Sequence, residues 1–185
     1  MAVLRTERLR LRSWRSTDVE VYAEACNTPA VMRWLGGVQT QAAVAREVRY
    51  FDKAEVRDGF TFWVVEHAGS KRLLGFCGLL RISERDCPLR NEVEVGWRIR
   101  ESAWRQGFAF EAASAVLDYA FQRLQLSLVV SRAARGNVPS RELMAKLGMM
   151  RRSQFDYRPS GENGKLAAFT IAAAQWRHAR LSHLK

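Results

Sequence analysis

The segment Trp104-Arg105-Gln106-Gly107-Phe108-Ala109 stands between a predicted strand and the most regular helical stretch of the chain, Gly107–Leu124. Gly107 and the small Ala109 let an anion approach the backbone N–H groups at the helix start, where unpaired amides and the helix dipole act together. Arg105 adds a charge of the matching sign. A glycine before a helix is equally consistent with an ordinary left-handed or close-packing position, so the weight of this segment depends on its neighbours. Upstream, Glu92 and Glu94 lie two apart on one strand and therefore share a face. Downstream, Asn137-Val138-Pro139-Ser140 opens another helix. Ser140 has no histidine at triad spacing, which argues against a hydrolase. His67, His178 and His183 stand apart from any cysteine or carboxylate at metal-ligand spacing, so no metal site is expected.

These residues require a scaffold of alternating strands and helices. Arg8-Leu9-Arg10-Leu11-Arg12 alternates polar and apolar side chains, as a half-buried strand does. Thr17 and Glu20 have the spacing of a capping box before a helix through Val19, Tyr22, Ala23 and Cys26. A second helix is predicted over Gln41–Phe51 with Ala42, Ala45 and Val48 on one face, and Gly36-Gly37 falls in the intervening loop. Strands follow at Phe60–His67, Leu73–Ile82 and Glu92–Ile99, with an exposed loop at Ser83–Arg90. The helix after Gly107 buries Phe108, Ala112, Ala115, Val116, Tyr119 and Ala120. A strand at Leu126–Ser131 and a helix at Pro139–Leu147 closed by Gly148 come next. Two last strands near Met149–Tyr157 and Leu166–Ala173 flank the turn-rich Pro159–Gly164. The order predicts a single α/β (α+β) domain over residues 1–185, built on one mixed sheet flanked by helices.

The chain has 185 residues, of which 48% are hydrophobic, enough for a core of its own. Its opening residues reach Arg5 without a secretory hydrophobic segment, no apolar run is long enough to span a membrane, and the odd, scattered Cys26, Cys77 and Cys87 show neither disulfide nor CxxC spacing. These features predict a reduced, cytoplasmic setting. Thirty Lys and Arg against nineteen Asp and Glu give a net charge of +11. Such a field suits a phosphorylated cofactor, RNA or an acidic protein surface, while scattered solvated arginines are the plainer reading. No RNA- or DNA-binding motif accompanies the charge.

Taken in order, these pieces resemble the GNAT superfamily of acyl-CoA N-acyltransferases, and most closely its branch of ribosomal-protein N-terminal acetyltransferases. Thr6-Glu7-Arg8-Leu9-Arg10-Leu11-Arg12 is similar to the branch's opening strand, and Leu74-Gly75-Phe76-Cys77-Gly78 to its central hairpin. Glu94-Val95-Gly96-Trp97-Arg98-Ile99 resembles its fourth strand, Trp104–Ala112 its cofactor loop and helix. Asn137-Val138-Pro139-Ser140 with Lys146-Leu147-Gly148-Met149 resembles the segment after its fifth strand. The resemblance implies a single-domain, mostly antiparallel GNAT sheet and acetyl-CoA as cosubstrate. It implies that the backbone of Trp97 to Ile99 pairs with the pantetheine arm and that a strand N–H near Trp97 serves the oxyanion. It further implies that amides from Arg105, Gln106, Gly107, Phe108 and Ala109 hold the pyrophosphate, that Asn137 bonds the pantetheine, and that Ser140 lies near the thioester sulfur. Trp104 stands where many relatives outside the branch carry Gln or Arg. Met144 stands where many carry a tyrosine acid, which leaves Ser140 or solvent to protonate the CoA thiolate.

The implied reaction is attack of a primary amine on a thioester carbonyl, which calls for a base and an oxyanion donor. Glu94, acting through one water, is the candidate base, with Glu92 second; the alternative is that either carboxylate pairs with an arginine. The expected acceptor is a protein N-terminal α-amine, with the basic surface docking to a ribosomal protein or RNA. A small amine is the alternative acceptor, and a non-catalytic acetyl-CoA-binding module the alternative role. A homodimer is a family-level expectation. Trp34, beside Gly36-Gly37, is the candidate wall of the acceptor site, while Cys77, Trp14 and Trp63 read as core. Glu111, in the first turn of its helix, reads as a partner of the dipole.

Overall fold

The computed structural model describes residues 2–159 and 164–182, so Ser160–Asn163 of the predicted turn and His183 lie outside the described residues. In chain order the elements are β1 (Ala2–Arg5), β2 (Leu9–Arg12), α1 (Asp18–Cys26), α2 (Pro29–Met32), α3 (Gln41–Asp58), β3 (Phe62–His67), β4 (Leu73–Arg81) and β5 (Val93–Ile99). They continue with α4 (Phe108–Gln122), β6 (Leu128–Ala134), α5 (Val138–Lys146), β7 (Met150–Arg151), β8 (Leu166–Ala172) and α6 (Ala173–Ser182). Single 3-10 turns occupy Glu101–Ala103 and Ser153–Phe155. The result is an α/β fold with a mixed, mostly antiparallel sheet flanked by helices, as the GNAT resemblance implies. Two compact units make it up, residues up to Leu80 with Gly96–Val116, and Arg81–Val95 with the chain from Leu117 onward.

In the first unit β1 to β4 form consecutive antiparallel pairs, with β2 set against β3 from Leu9 opposite His67 to Arg12 opposite Val64. One side of these strands is covered by α1 and α3, which bury Trp14, Tyr22, Val44, Val48, Phe51 and Ala54 against Val64 and Phe76. The buried stripe of α3 is Val44, Val48, Phe51 and Ala54, and Ala42 is exposed. The helix also runs two turns beyond Phe51, burying Ala54 on the same stripe, until Gly59 ends it at φ +77°. Thr40 caps it by accepting from the Ala43 N–H. The capping box predicted at Thr17 does not form: Thr17 is helical itself and makes no cap bond. Asp18 is instead held by the Arg15 N–H and by the Arg12 guanidinium, which also bonds Glu66. Arg12 is 6% exposed, so this arginine of β2 belongs to an internal ion pair and not to the outer charge.

Gly75 occupies φ +143° where β4 passes β5; a Cβ there would stand 1.9 Å from the Arg98 carbonyl oxygen. The close approach excludes any side chain and accounts for glycine inside an otherwise fully buried strand.

In the second unit β6 pairs antiparallel with β8 along its whole length, and β7 extends β8. The expected loop at Ser83–Arg90 is only partly exposed: Cys87 and Leu89 turn inward onto Ile82, Val130 and Tyr157. Three elements went unpredicted, β1, the single-turn α2 and the helix α6, the last anchored by Trp176 donating to Asp118. The strand expected over Met149–Tyr157 shrinks to Met150–Arg151 because the 3-10 turn at Ser153–Phe155 interrupts it. All three cysteines are buried and free. Among the described residues no helix is long and apolar enough to cross a membrane, and no group of three His, Cys, Asp or Glu could hold a metal.

Candidate active site

In the first unit, β5 leads through the Glu101–Ala103 turn into the loop that starts α4. The loop is tied to its own stem. Trp104 Nε1 donates to the Ile99 carbonyl at 2.7 Å, and Gln106 Nε2 donates to the Ser102 carbonyl at 2.9 Å. Arg105 lies at φ +61° and Gly107 at φ +81°. A left-handed residue alternating with others turns successive N–H groups toward one concave side, the geometry of an anion nest. Gly107 then starts α4, since the Glu111 N–H bonds its carbonyl. Arg105, Gln106 and Gly107 are exposed, Ala109 is half-buried, and Phe108 is buried. The site residues taken from sequence thus differ here: three are exposed, Ala109 is half-buried, and the ring of Phe108 belongs to the core. Ile99 is also a core side chain, and its carbonyl is already bonded to Trp104. Trp97 is half-buried on β5.

The loop has a partner that sequence reading missed. The Arg8 guanidinium donates through Nη1 to the Gln106 carbonyl (3.0 Å) and through Nε to Glu111 Oε2 (2.7 Å), and it lies over the Phe108 ring at 4.6 Å. Glu111 Oε1 accepts from the Thr6 hydroxyl and from the Arg8 N–H. Burial alone would raise the Glu111 carboxyl; the bonds from Thr6 and Arg8 outweigh that and hold it below the usual carboxylate range. Glu111 is therefore more than a partner of the dipole. The signal was in view, since Thr6, Arg8 and Glu111 all lie within the motifs that carry the resemblance, but they are about a hundred residues apart.

A second arginine of this unit, Arg98 on β5, closes on α1 and α3. Arg98 donates from Nη1 to the Tyr22 hydroxyl (2.5 Å) and to Glu47 Oε2 (2.8 Å), and from Nη2 to Glu47 Oε1 (3.0 Å). It also lies 5.0 Å over Phe76. Burial would lower its pKa, but the surrounding Tyr22 and Glu47 raise it above the ordinary value. Trp34 is 38% exposed in the segment that carries Gly36 and Gly37, both at φ +85°.

The second unit holds Glu94, opposite Val130 in the parallel pairing of β5 with β6. That pairing has one register pair. Beyond it, side chains tie the strands: Ser131 Oγ donates to the Val95 carbonyl at 2.9 Å, and the Arg132 N–H donates to Glu94 Oε1 at 3.0 Å. The Arg132 side chain forks onto the same carboxylate, Nε to Oε1 at 3.0 Å and Nη2 to Oε2 at 2.7 Å. Nη1 bonds the Tyr157 hydroxyl (2.5 Å) and the Cys87 sulfur (3.6 Å), and Nη2 reaches Glu84 at 3.3 Å. Burial works against the guanidinium charge, yet Glu94 and Glu84 together lift the Arg132 pKa far above its usual value. Burial pushes the Tyr157 hydroxyl above its ordinary value, so it keeps its proton while its oxygen accepts from Arg132 Nη1. Glu94 thus has the arginine partner that the alternative reading of this carboxylate named. Glu92 is half-buried where the turn returns to β5, its carbonyl accepting from the Ile82 N–H.

Asn137 caps α5 with Oδ1, which accepts from the Ser140 N–H at 3.3 Å. Its amide also carries two Nδ2 donors. Ser140 is half-buried in the first turn of α5, and Met144, one turn later, is 1% exposed within the core.

Comparison with known proteins bears on what this arrangement does. A model of the acetyltransferase (GNAT) domain family matches residues 8–150. The uncharacterized N-acetyltransferase YoaA of Bacillus subtilis is 28% identical over 161 residues, covering 80% of this chain and 83% of YoaA. An acetyltransferase of Agrobacterium tumefaciens has the same fold with a TM-score of 0.77 at 24% identity, over 91% of this chain and 92% of that one. Spermidine N-acetyltransferase of Vibrio cholerae, solved with CoA and spermine, gives 0.70 at 19% identity, over 93% and 99%. The structural likenesses establish the fold, and the family model, with its span of most of the chain, establishes descent. The chain belongs to the GNAT acetyltransferase family and is an acetyl-CoA-dependent N-acetyltransferase.

Proposed function

We propose that the enzyme carries acetyl from acetyl-CoA to a protein N-terminal α-amine by direct attack, as in the ribosomal-protein branch of the family. The whole chain acts as one catalytic domain in this reading, at work in the cytoplasm. The observation that carries its donor half is the pair of left-handed residues Arg105 and Gly107 at the start of α4. Their nest would take the pyrophosphate, and the basic charge of the chain would draw the cofactor in. The single β5–β6 register pair at Glu94 supports the pantetheine arm pairing with backbone from Trp97 to Ile99, with an N–H near Trp97 for the oxyanion. Asn137 would donate Nδ2 to the pantetheine, and Ser140 would stand near the sulfur.

Glu94 is the proposed base. A carboxylate has about four acceptor positions; Arg132 fills three of them, two on Oε1 and one on Oε2. The position left on Oε2 suits a water that takes the proton from the acceptor ammonium. Arg132 keeps the carboxylate in one orientation while this occurs.

The acceptor assignment rests on the sequence resemblance and on the +11 charge, which suits docking to ribosomal RNA or an acidic protein. That charge disfavours polycations at long range, although the similar Vibrio cholerae protein is a spermidine acetyltransferase. Incubation with acetyl-CoA and a panel of N-terminal peptides and small amines tests the reading by mass. A gain of one acetyl group on peptides is expected; thiol release with small amines alone would replace this acceptor by the second. Gly107→Val should weaken acetyl-CoA binding, because φ +81° is strained for a β-branched residue and the nest must rearrange to admit it, and unchanged affinity would remove the pyrophosphate assignment.

A further inference from the structure

Arg8 stands in the bend that leads into β2, 42% exposed at its side chain, yet it ties three groups of the α4 start together: the Gln106 carbonyl, the Glu111 carboxylate and the Phe108 ring. Two physical consequences follow. In a trans peptide the C=O and the next N–H point in opposite directions. Drawing the Gln106 carbonyl toward Arg8 therefore aims the Gly107 N–H to the far side, away from the guanidinium. An ideal Cβ at position 107 would stand 3.3 Å from Arg8 Nη2, so the glycine lies directly against this cation. The second consequence is electrostatic. Glu111 places a negative charge in the first turn of α4, where it would oppose an incoming diphosphate. Thr6, the Arg8 N–H and the Arg8 guanidinium cover both of its oxygens.

We propose that Arg8 is a positioning residue for the cosubstrate: it fixes the Gln106–Gly107 peptide in the orientation that presents its N–H to the pyrophosphate, and it neutralises Glu111 beside that site. The proposal rests on the assignment of the nest to the pyrophosphate. The N-terminal strand thereby becomes part of the donor half of the site without touching the reacting atoms.

The test compares acetyl-CoA with pantetheine, which lacks the pyrophosphate. Arg8→Met keeps an aliphatic stem over Phe108 and removes every donor; Arg8→Lys keeps the charge but cannot bridge Gln106 and Glu111 together. Loss of charge-assisted hydrogen bonds should raise KM for acetyl-CoA by about tenfold in Arg8→Met. Arg8→Lys should fall between it and wild type. In both, kcat and the inhibition constant of pantetheine should stay at wild-type values. An unchanged KM for acetyl-CoA in Arg8→Met overturns the proposal, and so does parallel weakening of pantetheine, which would mark Arg8 as a general structural residue. A misfolded variant loses both ligands and is read by the same ratio, which Arg8→Lys repeats with less disturbance. If wild-type enzyme binds CoA no more tightly than pantetheine, the nest assignment fails instead, and Arg8 with it.

Discussion

Arg98 of the first unit and Arg132 of the second use the same three parts. Each forks onto a glutamate and places one amino group 2.5 Å from a tyrosine hydroxyl. Their surroundings differ. Arg98 lies over Phe76, faces one carboxylate, and its buried Nε has no hydrogen-bond partner among the described residues. Arg132 uses Nε, Nη1 and Nη2, and two carboxylates, Glu94 and Glu84, share it. Around Arg98 the aromatic rings supply the packing, and Glu47 on a helix, 22% exposed at its side chain, can be rehydrated. Around Arg132 the ring contact is with Tyr157 at 5.5 Å, and two carboxylates, Glu94 and the more exposed Glu84, balance the charge. The same pairing serves as an anchor in one unit and, in our reading, as the mount of the base in the other. An ion pair therefore does not identify a catalytic carboxylate; the acceptor position left free on Glu94 is the relevant feature.

The contrast can be broken in several ways. The largest effect is expected from Arg132→Met, which strands Glu94 in a partly buried setting. Removing one partner of a buried pair costs about 3–5 kcal/mol, measurable as a lower urea midpoint. A loss below that of Arg98→Met would reverse the ranking of the two sites. Glu94→Gln keeps the volume and removes the base, so kcat near neutral pH should fall by about a hundredfold while KM for acetyl-CoA holds. Glu47→Gln is the matched control and should leave kcat near wild type; equal losses in the two would end the distinction. Arg98→Met is expected to cost only about 1–2 kcal/mol, because Glu47 reaches water and methionine still packs on Phe76.

A smaller effect separates both sites from Asp156, whose partners Arg151 and Arg135 lie nearer the surface. Burial would raise this carboxyl, but hydrogen bonds from Arg151, Arg135 and the Ala168 N–H bring it to about 2 from 3.8. A depressed folded-state pKa means stability that is complete above the unfolded value and lost as pH falls through the folded one. Asp156→Asn should therefore cost about 1 kcal/mol at neutral pH and flatten the fall in stability between roughly pH 4 and pH 2. A melting-temperature series across that range in wild type and variant checks it, and two parallel curves would contradict the pKa shift.

Local signals account for much of the fold. Alternation revealed β2, apolar runs bounded by turn residues revealed β3 and β4, and Gly59, Gly107 and Gly148 mark helix boundaries with the left-handed φ values that such positions call for. The failures are equally physical. The stripe of α3 was displaced because Ala42 and Ala45 are as apolar as Val44 on paper, and only the packing of Phe51 and Ala54 against β3 and β4 shows which face turns inward. Thr17 had a cap's spacing, yet Arg12 draws Asp18 into an ion pair that a local reading cannot see. The turn at Ser83–Arg90 looked exposed because its charges outnumber Cys87 and Leu89, which nonetheless fill a small core.

The sequence by itself determined the family, the order of most elements, and the loop that precedes α4, because each depends on residues close together in the chain. Tertiary structure alone decided what the charges do. Arg12, Arg98 and Arg132 are internal, with partners up to 76 residues away, and Arg8 meets Glu111 across 103 positions. Electrostatic pairing acts through space and at short range. No periodicity or spacing along the chain encodes it, so the partners of these arginines became known only when folding brought them together.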